Sequence, residues 1–152
     1  MTDVELALVQ ARDVRPLRAE VLRPGLPAVA SEFDGDERAL HVAARIGGRT
    51  VAVGTIVPEP YPAAARAGDW RIRGMATEPE LRGTGIGAAV LDELIRRAAS
   101  QGARRVWCHA RVGARSLYER AGLRAEGEPY EIAGIGPHVL LSRELDARAA
   151  AP

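Results

Sequence analysis

Three glycines within five residues form the part of the sequence best suited to bind an anion. They lie in the run Arg82-Gly83-Thr84-Gly85-Ile86-Gly87-Ala88, and an amphipathic helix pattern follows at once. Glycine allows positive φ angles and a close backbone approach, so such a loop can turn its N–H groups towards an anion. The start of the following helix adds unpaired N–H donors and the favourable end of a dipole. The run therefore predicts a diphosphate site.

Two common kinds of phosphate loop fit this run less well. A P-loop needs a lysine after its last glycine, but Gly87 is followed by Ala88. A dinucleotide loop of the form G-x-G-x-x-A does match residues 83–88, yet that loop should follow the first strand of a doubly wound sheet. Here it follows about the fourth predicted strand, and Arg104 and Arg105 occupy the region where a ribose-binding acid should lie.

The elements that must position this loop alternate in the order β-α-(α)-β-β-β-α-β-α-β-β. An apolar stripe through Ile86, Val90 and Leu94 predicts a helix over residues 85–100. Strands are predicted at residues 4–10, 40–46, 50–57, 69–77, 105–110, 124–131 and 138–144, and further helices at 14–22, capped by Asp13, and at 114–121. This order indicates one mixed α/β domain around a single sheet.

The composition narrows the class of protein. The 152 residues are 47% hydrophobic and 27% charged, which suits one globular domain. The net charge is +1 and the basic residues, all arginine, are scattered, so neither a nucleic-acid nor a membrane partner is expected. No bilayer-spanning run or secretory signal is visible, so a cytoplasmic location is expected. Cys108 is the single cysteine, which excludes an internal disulfide and a thiolate-rich zinc site, and no metal is expected.

Three blocks of sequence resemble the GNAT N-acetyltransferase superfamily. The run Arg82-Gly83-Thr84-Gly85-Ile86-Gly87 is similar to its R/Q-x-x-G-x-G/A loop, which holds the coenzyme A diphosphate. Residues 75–81 resemble the lead-in of strand, acid and proline, and Ser116-Leu117-Tyr118-Glu119-Arg120-Ala121-Gly122-Leu123 resembles the F-Y-E-x-x-G-F helix. The ending at residues 134–139 looks like one uncharacterised bacterial branch of the superfamily.

This resemblance implies a fold and an activity. The fold is α/β (α+β), with a mixed central sheet of six to seven strands, about four flanking helices, and fourth and fifth strands that splay apart. Residues 1–145 are expected to form one domain and residues 146–152 a disordered tail. The implied activity is transfer of an acetyl group from acetyl-CoA directly to a primary amine.

The resemblance also assigns cofactor contacts. The backbone of residues 75–77 would bind the pantetheine arm and the thioester oxygen, and the backbone N–H groups of residues 83–88 would hold the diphosphate. Arg111 stands where many members have an asparagine that bonds the pantetheine arm, and Leu117 replaces a phenylalanine. The implied cofactor-binding residues are Met75, Ala76, Thr77, Arg82, Gly83, Thr84, Gly85, Ile86, Gly87, Ala88 and Arg111.

Two residues are candidates for proton transfer. Tyr118 matches the family tyrosine that would protonate the departing sulfur. His109 is the candidate base, because an imidazole with a pKa near 6.5 suits proton removal at neutral pH, although a hydrogen-bonded sheet histidine is the alternative interpretation. Cys108 should point away from His109, since neighbours in a strand face opposite sides. Further candidates for the acceptor pocket are His138, Glu131, His41 and Glu32.

Alternatives to the acetyltransferase hypothesis stay open at this point. A coenzyme A-binding or sensing domain without turnover would use the same glycine loop but would not need Tyr118 or a base. A nicotinamide-dependent oxidoreductase is a more distant alternative. The expected partner is a small-molecule or peptide amine, and family resemblance allows a homodimer.

Overall fold

A seven-stranded mixed sheet forms the centre of the computed structural model, which describes residues 3–146. Its strands are β1 (Glu5–Val9), β2 (Leu40–Ile46), β3 (Arg49–Pro58), β4 (Asp69–Thr77), β5 (Arg105–Arg111), β6 (Arg124–Ile132) and β7 (Gly136–Glu144). The order across the sheet is β1-β2-β3-β4-β5-β7-β6. Residues 147–152, most of the predicted tail, lie outside the described residues.

The neighbouring strands are antiparallel except β4 and β5, which run parallel. Parallel neighbours need a long crossover, and the helix after the glycine-rich run supplies it. The parallel pairing covers three residue pairs, from Asp69 with Arg105 to Arg71 with Trp107. The predicted mixed sheet with splayed fourth and fifth strands is therefore confirmed.

Within the described residues, three α-helices accompany the sheet: α1 (Ala11–Leu22), α2 (Ile86–Ser100) and α3 (Arg115–Arg120). The prediction that Asp13 caps α1 is wrong. The helix begins at Ala11 after Gln10, and the Asp13 carboxylate accepts a hydrogen bond from the Gln10 backbone N–H at 2.9 Å. Asp13 thus serves the helix start from inside the first turn. Among residues 3–146, no helix is both long and apolar enough to cross a lipid bilayer.

Each face of the sheet has its own apolar cluster. On one face, the stripe of α2 packs with alternate residues of the strands, including Ile72 and Cys108. On the other face, Val14 and Leu17 of α1 pack with Ala43, Val53 and Ala76. We refer to these as the α2 face and the α1 face. Because side chains alternate along a strand, each central strand contributes to both.

A buried ion pair lies where β4 and β5 begin. Nε and Nη2 of Arg105 donate to the two Asp69 carboxylate oxygens at 2.8 and 3.0 Å. The backbone N–H groups of Tyr61 and Arg66 donate to the same carboxylate. A bidentate guanidinium–carboxylate pair fixes both distance and orientation. It therefore holds the paired end of β4 and β5 together, while the other ends diverge.

Candidate active site

A cleft opens where β4 and β5 separate. Beyond the pair of Arg71 and Trp107, β4 continues to Thr77 and β5 to Arg111 without pairing to each other. The cleft has a volume of about 710 Å³. Its walls include residues from both strands, from the glycine-rich run and from α3. Main-chain groups along the diverging strand segments can therefore meet a ligand in the gap.

A bulge in β4 changes which residues face each side of the gap. Arg73 pairs with Thr55 and Ala76 with Val53, so β4 advances by three residues while β3 advances by two. Gly74 has φ +66°, and a Cβ there would lie 2.9 Å from Nε of Arg18. Before the bulge, Arg73 lies on the α1 face, and after it Ala76 does, whereas Met75 packs on the α2 face. The extra residue thus reverses the alternation within the cleft wall.

The glycine-rich run forms the wall of the cleft at the start of α2. Gly85 precedes the helix with φ +89°, a conformation that costs other residues energy. The first N–H groups of a helix have no carbonyl partner within it, and no acidic side chain occupies the first turn of α2. Those donors border the cleft together with Arg82, Gly83, Gly85, Gly87 and Ala88. The run therefore has the geometry of an anion site.

Two side chains of the run point elsewhere. The Thr84 hydroxyl donates back to the Leu81 carbonyl at 2.5 Å. The Ile86 side chain is buried in the α2-face core. Neither residue lines the cleft, so each can contribute to a ligand only through its backbone N–H, and that of Thr84 already donates to the Leu81 carbonyl at 3.4 Å.

Tyr118 lies on α3 and lines the cleft from the α2 face. Only 7% of it is exposed, and burial, together with nearby Cys108, holds the pKa of its phenol well above the ordinary value. No described residue makes a hydrogen bond to its hydroxyl. Tyr118 therefore keeps its proton at neutral pH and can donate it to an atom in the cleft.

His109 lies on the α1 face of β5 and also lines the cleft. Its Nδ1 forms a short hydrogen bond with the Tyr130 hydroxyl. Burial lowers the pKa of the imidazole, and the charges of Arg71 and His138 lower it further. A neutral ring at neutral pH can accept a proton. The neighbouring Cys108 is buried on the opposite face, where burial raises the pKa of the thiol to about 12.

The other predicted acceptor residues separate into two groups. His138 lines the cleft, and its Nδ1 donates to the Gly136 carbonyl at 2.9 Å. His41 lies elsewhere, bonded to Thr55 and to the Asp36 carbonyl. Neither Glu32 nor Glu131 lines the cleft, and both are exposed.

The structure also brings residues to the cleft that the sequence pattern did not single out. They are Arg23 and Phe33 near α1, and Arg71 and Arg73 on β4. Arg71 pairs with Glu59 at 3.0 Å. The signal that could have found two of them is Arg71-Ile72-Arg73, because charged residues alternating on one face of a central strand are unusual. Arg111, exposed at the end of β5, lines the opposite wall.

The arrangement combines three chemical capacities in one cleft. The start of α2 offers backbone donors and the positive end of a helix dipole. Tyr118 offers a proton from the α2 face, and His109 offers a proton acceptor from the α1 face. Within residues 3–146, no group of three or more His, Cys, Asp or Glu side chains is placed to hold a metal ion.

Comparison with known proteins identifies the family. Residues 9–123 match the acetyltransferase (GNAT) family. The chain is 27% identical over 144 residues to the uncharacterized N-acetyltransferase YitI of Bacillus subtilis (strain 168). The matched residues cover 93% of this chain and 97% of that protein.

Solved structures share the fold. Escherichia coli ElaA has a TM-score of 0.75 at 18% identity, over 93% of this chain and 100% of that chain. An aminoglycoside 6'-N-acetyltransferase complexed with coenzyme A has a TM-score of 0.73 at 13% identity, over 92% of this chain and 96% of that chain. The family match covers more than half of the sequence. The chain therefore belongs to the acetyltransferase (GNAT) family and is an N-acetyltransferase.

Proposed function

We propose that this enzyme moves an acetyl group from acetyl-CoA directly to a primary amine held in the same cleft. The observation that carries the proposal is the gap between β4 and β5. It joins the anion site at the start of α2 to a proton donor, Tyr118, and a proton acceptor, His109. When bound, acetyl-CoA supplies an activated thioester.

Features of the cleft walls support coenzyme A as the ligand. A Cβ at Gly87 would lie 3.2 Å from the Thr77 hydroxyl, so glycine keeps open the space between β4 and the helix start. The backbone of Met75, Ala76 and Thr77, unpaired on the side of β5, would bind the pantetheine amides and the thioester oxygen. The N–H groups of residues 83–88 would hold the diphosphate together with Arg82. Arg111 would bind the pantetheine arm from the opposite wall.

His109 would accept the proton that the amine must lose. A lysine-like amine has a pKa near 10.4 and attacks a carbonyl carbon only when neutral. Nε2 is the ring nitrogen that would take this proton, because Nδ1 is bonded to Tyr130. As the C–N bond forms, the carbonyl oxygen gains negative charge, and backbone N–H groups of β4 would stabilise it.

Tyr118 would complete the reaction on the sulfur side. The C–S bond breaks with its electron pair on sulfur, and the Tyr118 hydroxyl would give its proton to that sulfur. As the amide forms, its nitrogen gives up the second proton of the former ammonium group to solvent. The phenolate regains a proton from solvent, and His109 releases the one it took. The raised pKa of Tyr118 favours the protonated phenol before and after each turnover.

Binding and turnover test the proposal separately. A ligand present at 100-fold its Kd stabilises a protein by about 2.7 kcal/mol, so acetyl-CoA at about 1 mM should raise the melting temperature clearly. A panel of amines, polyamines, aminoglycosides and peptides, followed by release of free thiol, should then reveal turnover. No thermal shift would contradict acetyl-CoA binding. Binding without turnover of any amine would favour a coenzyme A-binding domain without catalysis.

A further inference from the structure

The walls of the cleft carry a large excess of positive charge. The described residues that line it include no Asp or Glu, but six arginines: Arg23, Arg71, Arg73, Arg82, Arg111 and Arg120. Among these, Arg71 has a carboxylate partner, Glu59. In the described part of the chain, the remaining five make no ion pair within 4.0 Å. Arg82 and Arg111 would bind coenzyme A, but Arg23 and Arg73 have no such role, and a protonated amine alone would be repelled by their charge.

Two of the unpaired arginines meet on the α1 face, around the ring of Phe33. The guanidinium carbon of Arg73 lies 4.5 Å from the centroid of the Phe33 ring, and that of Arg23 lies 5.3 Å from it. Arg18 stacks on the same ring at 4.0 Å. Three guanidinium groups thus surround one phenyl ring at the edge of the cleft.

The nearby carboxylate is already engaged. Arg18 donates to both oxygens of Asp36 at 2.7 and 3.0 Å, and Arg15 approaches the same carboxylate at 3.6 Å. Arg73 has one hydrogen bond, a long one of 3.5 Å to the Asp34 carbonyl, and its buried Nε has no partner among residues 3–146. Within the described part of the chain, the side chain of Arg23 donates to one acceptor, the adjacent Leu22 carbonyl.

Holding these cations together is unfavourable without an anion. Burial, together with the charges of neighbouring Arg71 and Arg18, lowers the pKa of Arg73 to about 10. Burial also lowers the pKa of Arg23, with contributions from Arg111 across the cleft and from Arg18. A bound oxyanion would relieve both the desolvation and the repulsion. Guanidinium groups bind carboxylate and phosphate in bidentate geometry.

We propose that the acceptor is a small amine that also carries an oxyanion, a carboxylate or a phosphate, and that Arg23 and Arg73 bind this oxyanion. This inference rests on the proposed N-acetyltransferase function and names its substrate class. Phe33 fixes the two guanidinium groups from one side. An oxyanion held there anchors the molecule by the end that does not react.

The position of His109 supports this orientation. Arg73 on β4 and His109 on β5 lie on the α1 face, on opposite walls of the gap. They are close enough for the charge of Arg73 to lower the pKa of the imidazole. The anchored acceptor thus extends its amine towards His109. The coenzyme A diphosphate would be bound elsewhere, at the start of α2.

Matched pairs of amines test the inference. Phenylalanine is compared with phenylalaninamide, and phosphoethanolamine with ethanolamine, by kcat/KM at saturating acetyl-CoA. We expect at least one anionic amine to exceed its neutral partner by tenfold or more, and the two pairs distinguish carboxylate from phosphate. Equal kcat/KM within both pairs, or turnover of the neutral members alone, would overturn the inference and leave the proposed function intact.

Charge-removing variants locate the oxyanion. Arg73→Gln and Arg23→Gln should each reduce the preference for the anionic amine at least tenfold, mainly through KM, and Arg73→Lys should restore part of it. The Kd for acetyl-CoA, measured by calorimetry, should stay within about twofold, and Arg12→Gln, an exposed change on α1, should behave as wild type. If the two Gln variants instead weaken acetyl-CoA and leave the acceptor preference unchanged, these arginines bind the cofactor and the inference is wrong.

Discussion

Tyr130 and His109 are joined across β7 by a hydrogen bond between the phenol oxygen and Nδ1. Their rings are nearly perpendicular, with centroids 5.7 Å apart, and Trp107 packs on the imidazole at 5.3 Å. The ring of His109 is therefore held from two sides. Nε2 is left without a hydrogen bond from the described residues, and this is the atom available to a substrate.

Replacing His109 should change the pH dependence of kcat. Because the pKa of the imidazole is lowered, the ring stays neutral to below about pH 6.5, and activity should fall only as pH drops through that lowered value. His109→Ala should reduce kcat by about 10²–10⁴-fold and abolish this acidic limb. Tyr130→Phe should reduce kcat less and keep the limb. An acidic limb that survives in His109→Ala would exclude His109 as the base.

Tyr118→Phe should separate chemistry from binding. The phenyl ring keeps the packing of α3, but the proton donor is lost, so kcat should fall by about 10²-fold or more. The Kd for acetyl-CoA should change by less than about twofold, a free-energy change well under the 1.4 kcal/mol of a tenfold effect. Steady-state kinetics and calorimetry on the same preparation check both values. Wild-type kcat in this variant would remove Tyr118 from the acid role.

Two glycine variants distinguish backbone strain from loss of the diphosphate site. Gly85 and Gly48 both have positive φ, +89° and +81°, and a Cβ at either would meet open space. Gly85→Ala and Gly48→Ala should therefore each lower the free energy of unfolding by about 1–2 kcal/mol. Only Gly85→Ala should weaken acetyl-CoA binding, by about tenfold, because it moves the donors at the start of α2. Equal Kd values in both variants would contradict the loop assignment.

Asp36→Asn should be strongly destabilising. Burial alone would raise the pKa of Asp36, but hydrogen bonds from Arg18 and the Phe33 N–H hold it below its usual value. Loss of the carboxylate leaves the fully buried Arg18 unpaired, which costs about 3–5 kcal/mol. Glu37→Gln, an exposed change next to it, should cost less than about 0.5 kcal/mol. Denaturant unfolding measures both.

The same ion pair predicts how stability depends on pH. A carboxylate with a lowered pKa in the folded state stabilises the protein fully above its unfolded pKa, about 3.9. That contribution is lost as pH falls through the lower folded pKa. Wild type should therefore lose more stability than Asp36→Asn between about pH 5 and pH 2. Parallel losses in the two proteins would contradict this role for Asp36.

Local patterns were enough to predict the parts of the site that are continuous in sequence. The glycine run, its helix and the segment with Tyr118 each carry their signal within a few residues. The start of α1 was misplaced because an acidic residue can serve a helix start from the cap or from the third position, and both satisfy the same N–H groups. The strands that hold His109 and Met75 are predicted at residues 105–110 and 69–77, within one residue of their observed bounds.

The acceptor side could not be predicted because its contacts join distant segments. Phe33 and Arg73 are 40 residues apart in the chain, and their meeting depends on how the segment after α1 crosses β4. The bulge at Gly74 also makes a prediction from alternation fail. Strict alternation of side chains would place Met75 on the same face as Arg73. His41 looked available in the sequence, but the fold engages both its ring nitrogens.

In mechanical terms, the sheet consists of two plates, β1–β4 and β5–β7–β6, joined along a seam of three residue pairs. Past the seam, main-chain amides of both plates face a gap where a neighbouring strand would otherwise be. The pantetheine arm carries amide groups of its own. Once bound, the arm would lie between the two plates, and its amides would continue the hydrogen bonding of the sheet across the gap.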